Sequence, residues 1–187
     1  MPARSIRSIH SVLLLAIAVP ALWAASQSGN PTKSGPETAA PKVLTAPEAA
    51  KFLPDAVFFQ GQSAPIQARN SSGVQFTKDS LFLVSLVDTS GYSTSVQAKY
   101  QAYLITETAI DIEGHRLAPG AYGCGFIAGN NFIVMDIGGH DLFSVNSTTD
   151  PNLRRPTPLQ VLAVPGGTKY QLYFGREYVN FAQSASH

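Results

Sequence analysis

The feature that most constrains this fold is a succession of short segments between Asp55 and Phe181, each rich in β-branched and aromatic residues. Turn-forming pairs separate the segments at Ser72-Gly73, Lys78-Asp79, Glu113-Gly114, Pro119-Gly120, Gly129-Asn130 and Gly166-Gly167. No long stretch places apolar residues at the spacing of a helix. Many short strands with frequent turns are typical of sandwiches and barrels. We therefore predict an all-β protein, an antiparallel β-sandwich with a barrel as the alternative.

The first residues have the pattern of an export signal. Arg4 and Arg7 precede an apolar core at residues 12–24, which is shorter than the roughly 20 residues that a spanning helix needs. The first small-x-small triplet follows as Ala-Ala-Ser, and cleavage is expected near Ser26. Residues 1–26 are thus predicted to be a signal peptide, with a retained membrane anchor as the alternative. The mature chain is expected to be periplasmic or secreted and to have no membrane span.

Two further parts are predicted after the signal. Residues 27–44 contain mainly Ser, Thr, Pro, Gly and Ala without an apolar period, so we expect a flexible tether. Thr45 and Glu48 have the spacing of a capping box, which predicts one short helix to about Leu53. Residues 45–187 are interpreted as a single β-rich domain.

Composition and charge exclude one class of partner. Apolar residues make up 44% of the chain and charged residues only 13%, against about 25% charged in an average globular protein. Loss of Arg4 and Arg7 from 13 basic residues leaves 11 against 12 acidic ones, a net charge near −1. No stripe of Lys and Arg is present, so nucleic acid is not an expected partner. Cys124, the single cysteine, is predicted to be a buried apolar residue.

Two hairpins can be assigned a register from their turns. A turn at Gly166-Gly167 pairs Val164 with Lys169. One face of that hairpin is then predicted to be core, and its members are Leu159, Val161, Ala163, Tyr170, Leu172 and Phe174. A type II′ turn at Gly129-Asn130 pairs Cys124 with Met135 and gives a second apolar face.

The opposite face of the second hairpin supplies the candidate site. In this register Gly123 lies opposite Asp136, and Gly125 lies opposite Val134. Glycine inside a strand often marks the close approach of a ligand or another backbone. We therefore predict a ligand-binding trough whose residues are Gly123, Gly125, Phe132, Asp136 and His140. The alternative is that an aromatic side chain covers the two glycines.

Catalytic patterns are weak. His115 and His140 do not have a metal-ligand spacing, so a metal site with Asp136 would require tertiary convergence. His140 and Asp141 are adjacent on a strand and point to opposite faces, which does not suit a catalytic triad. No nucleophile elbow and no phosphate-binding loop are present. No cofactor is expected.

A short motif carries a family resemblance. Leu117-Ala118-Pro119-Gly120-Ala121-Tyr122 resembles the L-x-x-G-x-Y turn that begins a central strand in small exported bacterial β-sandwich proteins of unknown function. Arg176-x-Tyr178-Val179-x-Phe181 is similar to their C-terminal end. The resemblance covers about residues 57–181. It implies a bacterial periplasmic or secreted setting and supplies no catalytic residues.

The leading hypothesis is an exported, non-enzymatic binding or envelope-associated module. Its partner would be an unknown small molecule, glycan or envelope protein. One alternative is a metal-dependent or other hydrolase that uses Asp136, His140 and His115. Another is a structural assembly subunit, which long and exposed apolar edge strands would favour.

Overall fold

A computed structural model describes residues 40–185. The predicted signal peptide, most of the predicted tether and residues 186–187 lie outside this range. The elements are β1 Lys42–Leu44, α1 Ala46–Ala49, β2 Ala56–Phe59, β3 Gln62–Thr77, β4 Ser80–Val87, α2 Thr94–Gln97, β5 Ala102–Thr106, β6 Ile110–Ile112, β7 His115–Leu117, β8 Gly120–Ile127, β9 Asn131–Met135, β10 Asp141–Asn146, β11 Thr148–Thr149, β12 Gln160–Ala163, β13 Lys169–Phe174 and β14 Glu177–Gln183. The prediction of an antiparallel β-sandwich is confirmed.

Two open sheets form the sandwich. The larger has the strand order β1-β3-β4-β5-β8-β9-β10, with β2 paired to β3, and the smaller has the order β12-β13-β14-β6-β7, with β11 paired to β14. The long strand β3 changes partner at a register shift between Ile66 and Ser71. Residues 62–65 pair with β2, Ile66 pairs with Val87 of β4 before the shift, and the part after the shift pairs with β4 and β1. The β2–β3 hairpin is therefore an extension of the larger sheet.

The larger sheet is buried on both faces. Its inner face packs against the smaller sheet through a cluster that includes Phe82, Leu104 and Phe132. Its outer face carries a second cluster, in which Phe59 and Tyr100 cover β8 and β9. A third, smaller cluster packs α1 against the start of β4. Strands with two buried faces leave little surface for charged side chains, which accounts for the low charged fraction.

The N-terminal end of the domain begins before the predicted boundary at residue 45. β1 pairs with β3 from Lys42 to Leu44, within the stretch interpreted as a tether. The predicted capping box is present, because the Glu48 carboxylate accepts bonds from the Thr45 backbone N–H (2.9 Å) and hydroxyl (2.8 Å). The helix is shorter than expected and ends at Ala49.

One predicted hairpin register is confirmed and the other is wrong. The pairs between β12 and β13, such as Val161 with Leu172, match the register set by Gly166-Gly167. In the β8–β9 hairpin, Ile127 lies opposite Asn131, so the loop has one more residue than a type II′ turn. The reason is local, because both Gly129 (φ +84°) and Asn130 (φ +56°) adopt left-handed conformations.

This one-residue shift exchanges the predicted faces of β9. Gly123 lies opposite Met135 rather than Asp136, and Gly125 lies opposite Ile133. Phe132 pairs with Phe126 and points into the core between the sheets. A slip of one residue turns every side chain of a strand to its other face, so Phe132 does not share a surface with the two glycines.

Neither helix in residues 40–185 has the length and hydropathy that crossing a membrane requires.

Candidate functional site

The space above the two strand glycines is filled by protein. A Cβ atom at Gly123 would lie 2.4 Å from Cε2 of Phe59, and one at Gly125 would lie 2.2 Å from the carbonyl oxygen of Lys99. The alternative in which an aromatic side chain covers a sheet glycine is thus confirmed at Gly123. The glycines allow β2 and the segment after α2 to approach β8 closely, so a ligand could reach Gly123 only by displacing Phe59.

Phe59 is held in this position by its aromatic neighbours. Its ring stacks on Tyr100 at a centroid distance of 3.8 Å and meets Tyr92 edge-on at 6.2 Å. The Tyr92 hydroxyl donates to the Phe59 carbonyl oxygen at 3.1 Å. Tyr100 is fully buried, and burial raises the pKa of its hydroxyl above the usual tyrosine range. The glycine strand is therefore the base of a buried, packed aromatic cluster.

Asp136 and His140 do come together, in the turn between β9 and β10. Asp136 Oδ1 accepts the His140 backbone N–H at 2.9 Å, and Oδ2 lies 2.9 Å from the ring Nδ1. The backbone bond is the main cause that lowers the pKa of Asp136 below its usual range, and the ring contact is the second. The imidazole remains largely exposed to solvent. The pair is thus a preformed polar group at the surface.

A small cavity adjoins this turn. It has a volume of about 200 Å³, and we name it the turn pocket; it is lined by Phe59, Gln60, Ser95, Val96, Lys99, Met135 and Gly139. Lys99 forms an ion pair with Asp141 at 2.6 Å on its rim. Met135 and Phe59 are buried and form an apolar floor. The pocket therefore combines an apolar floor with amide, hydroxyl and ammonium groups.

None of the residues that line the turn pocket was predicted as a site residue from the sequence. Gln60 belongs to the turn between β2 and β3, whereas Ser95 and Lys99 belong to α2 and the residues directly after it. The two segments are far apart in the sequence and meet only in the folded chain. The local signal was weak: Gln60-Gly61 is a turn in which Gln60 adopts φ +48° and Gly61 φ +79°. A non-glycine residue in a left-handed conformation is uncommon, but the sequence alone does not reveal it.

Exposed apolar side chains lie close in sequence to the same region. Four large apolar residues of the described chain are strongly exposed, and three of them neighbour the pocket residues or the Asp136–His140 turn in sequence. They are Phe58, Ile137 and Leu142. The backbone N–H of Gln60 donates to the Ile137 carbonyl oxygen at 2.7 Å, which brings β2 against the turn. Phe58 is adjacent on β2 to the buried floor residue Phe59, so the two side chains point to opposite faces of the strand.

His115 lies elsewhere. Its ring stacks on Phe143 of β10 at 4.9 Å, with 12° between the planes. It lines a separate polar cleft of about 410 Å³ together with Glu113, Ser144, Val145 and Asn146. In residues 40–185 no group of three His, Cys, Asp or Glu side chains is placed to hold a metal ion. The predicted trio of Asp136, His140 and His115 is therefore not assembled as a metal site.

Cys124 is the buried apolar residue that the sequence predicts. It has no exposed surface, and its thiol lies between the sheets. Burial raises the pKa of the thiol to about 12, so the nucleophilic thiolate is scarce at neutral pH.

No family model matches this chain, and neither a curated protein nor a solved structure shows significant similarity to it.

Proposed function

We propose that this protein is an exported, non-enzymatic binding module that holds a sugar ring of an envelope glycan in the turn pocket. The observation that carries the proposal is the composition of the pocket, an apolar floor with a polar rim beside the Asp136–His140 pair. A pyranose ring has matching chemistry, with C–H groups on its faces and hydroxyls around its edge. Export is supported by the signal-peptide pattern of residues 1–26.

The size and donor set of the pocket favour one ring. Pockets for drug-sized ligands begin at about 300 Å³, whereas the turn pocket holds about 200 Å³. Gln60 offers both amide donors and a carbonyl acceptor, Ser95 offers a hydroxyl, and Lys99 offers ammonium donors. Uncharged hydroxyls suit this mixture better than a strongly ionic ligand does, because the Lys99 charge is already paired with Asp141.

The hydrolase alternative lacks an equivalent observation. It requires His115 beside Asp136 and His140, but His115 stacks on Phe143 instead. Within the described range, no hydrogen bond joins His140 to a serine or cysteine side chain that could act as a nucleophile. A binding role needs only the turn pocket and the Asp136–His140 pair beside it.

A substitution at Gln60 tests the proposal without disturbing the fold. Gln60→Gly removes the amide from the pocket and relieves the left-handed conformation at φ +48°. Asn130→Gly is the matched control, because Asn130 also has a positive φ (+56°) and lies outside the pocket lining. Both variants should melt no lower than the unaltered protein.

The measurement is an NMR titration with two soluble probes, chitotriose and maltotriose. We expect amide shifts at Gln60, Lys99 and Gly139 with at least one probe. Gln60→Gly should weaken that binding about tenfold, as expected for losing a hydrogen bond in a partly buried site, while Asn130→Gly should leave it unchanged. The proposal is wrong if neither trisaccharide shifts the pocket amides, or if both variants bind as the unaltered protein does.

A further inference from the structure

The free edge of β10 carries backbone groups whose orientation follows from the register. Ser147 donates its N–H to the Asn130 carbonyl oxygen at 2.7 Å, which continues the β9–β10 pairing of Asn146 with Asn131 and Val145 with Phe132. In an antiparallel ladder, alternate residues turn both backbone groups toward the same neighbour. Val145 therefore bonds toward β9, and Ser144 and Asn146 present their N–H and carbonyl groups outward.

These outward groups have no strand beside them in the described part of the chain. β10 is the last strand of the larger sheet and β9 is its one strand partner there. Proteins commonly block such edges with charged residues, proline or very short strands. The run from Phe143 to Ser147 has no charge and no proline. Two blocking features, a bulge and the Lys99–Asp141 ion pair, lie before this run, at the beginning of β10.

The polar cleft lies beside this edge. It is lined by Ser144, Val145 and Asn146 from β10, and by Glu113 and His115 from the turn and strand β7 opposite. Glu113 is fixed in place, because its Oε1 accepts from the backbone N–H of Asn180 (2.6 Å) and from its side-chain amide (2.8 Å). The cleft thus presents a positioned carboxylate next to a free strand edge.

We propose that β10 docks an extended segment of a partner protein, which adds to the larger sheet as a further strand and places a Lys or Arg side chain against Glu113. Strand addition uses the outward backbone groups of Ser144 and Asn146 for affinity. The carboxylate of Glu113 supplies specificity for a cation. This site is independent of the turn pocket and does not rest on the proposed sugar ligand.

Charge complementarity favours a different protein over a second copy of this chain. Two copies joined through the same edge would each present β10, whose sequence Asp-Leu-Phe-Ser-Val-Asn contains no basic residue. Each Glu113 would then remain without a cation supplied by the partner strand. A foreign segment with a basic residue satisfies both the edge and the carboxylate.

The test is selection from a displayed library of random peptides long enough for one strand, about 6 residues, against the folded protein. We expect enriched peptides that contain Lys or Arg, and that lose binding when alternate amides are N-methylated. Ser144→Pro, which removes an outward N–H, and Glu113→Gln should each weaken the best peptide at least tenfold. Gln60→Gly should have no effect, which separates this result from that of the turn pocket.

Ala163→Pro is the matched control on the opposite edge. Val161 directs its N–H away from β13 to the Ser72 hydroxyl, so Ala163, two residues on, also faces outward. The Ala163→Pro substitution should leave peptide binding unchanged. The proposal is overturned if no peptide is enriched, if Ser144→Pro and Ala163→Pro have equal effects, or if the protein instead forms a dimer that Ser144→Pro dissociates.

Discussion

The two sheets meet along two sides of the sandwich, and the contacts between the sheets differ from one side to the other. On one side, the Ser72 hydroxyl of β3 donates to the Leu44 carbonyl oxygen of β1 (3.1 Å) and accepts the Val161 N–H of β12 (3.2 Å). On the other side, β7 and β10 meet through the stacked rings of His115 and Phe143. We call these the closed side and the open side.

The difference shows that one side chain can determine whether backbone groups at a strand edge are hydrogen-bonded. Ser72 is buried, so both of its hydrogen bonds form away from competing water and join three strands. His115 is exposed, and its stack on Phe143 supplies no hydrogen-bond partner to the backbone of β10 within the described part of the chain. The Ser72 bonds therefore contribute to the stability of the closed side, whereas on the open side the outward groups of Ser144 and Asn146 have no strand partner in residues 40–185.

The largest expected effect comes from placing proline at an inward position of the open side. Val145→Pro removes an N–H that bonds to β9 and leaves a buried carbonyl group without its donor. It also removes part of a buried side chain. We expect a loss of about 2–4 kcal/mol in the free energy of unfolding, measured by urea denaturation. A loss below about 0.5 kcal/mol would reverse the assignment of inward and outward residues on β10.

The closed side should lose somewhat less when its hydroxyl is removed. Ser72→Ala leaves the buried N–H of Val161 without an acceptor, and we expect a cost of about 1–3 kcal/mol. Ser147→Ala on the open side is the control, because the Ser147 hydroxyl oxygen is buried and has no partner in the described chain. Its removal should be neutral or slightly stabilising. Equal losses in both variants would remove the distinction between the two sides.

The sequence predicts the architecture well because strand and turn patterns are local. Alternating apolar residues and frequent turns suffice for the sandwich, and Gly166-Gly167 suffices for the β12–β13 register. The β8–β9 register could not be obtained in the same way, because Gly129-Asn130 suits loops of either two or three residues. That single ambiguity moved Phe132 from the core to the predicted site.

The site shows the same division between local and tertiary information. Asp136 and His140 are four residues apart in one turn, so their contact could be anticipated from the chain. The filling of the Gly123 trough by Phe59, and the meeting of Gln60 with Lys99, depend on how the β2–β3 hairpin folds over the sheet. No spacing in the sequence specifies that position, because it results from packing among distant aromatic side chains.

Acidification should affect the open side through the turn that begins β10. The folded-state pKa of Asp136 is lowered, so its ionised form stabilises the turn at pH values above the ordinary aspartate pKa, about 3.9. This contribution is lost as the pH falls through the lower folded-state value.

In a carboxyl NMR titration, His140→Ala should raise the pKa of Asp136 while leaving it below the ordinary value, because the larger cause is the backbone N–H. A complete return to the ordinary value would assign the effect to the ring.

The smallest effect is expected for proline at an outward position of the open side. Ser144→Pro removes an N–H that faces solvent rather than β9, and proline is tolerated on edge strands for this reason. We expect a cost below about 1 kcal/mol in urea denaturation, against the larger loss for Val145→Pro at the adjacent residue. Because the two residues are neighbours in one strand, proline's general effects on the unfolded chain largely cancel between them. The remaining difference reports which N–H is bonded within the sheet. If Ser144→Pro costs as much as Val145→Pro, the outward N–H of Ser144 is already hydrogen-bonded within the folded protein. The edge of β10 is then not free.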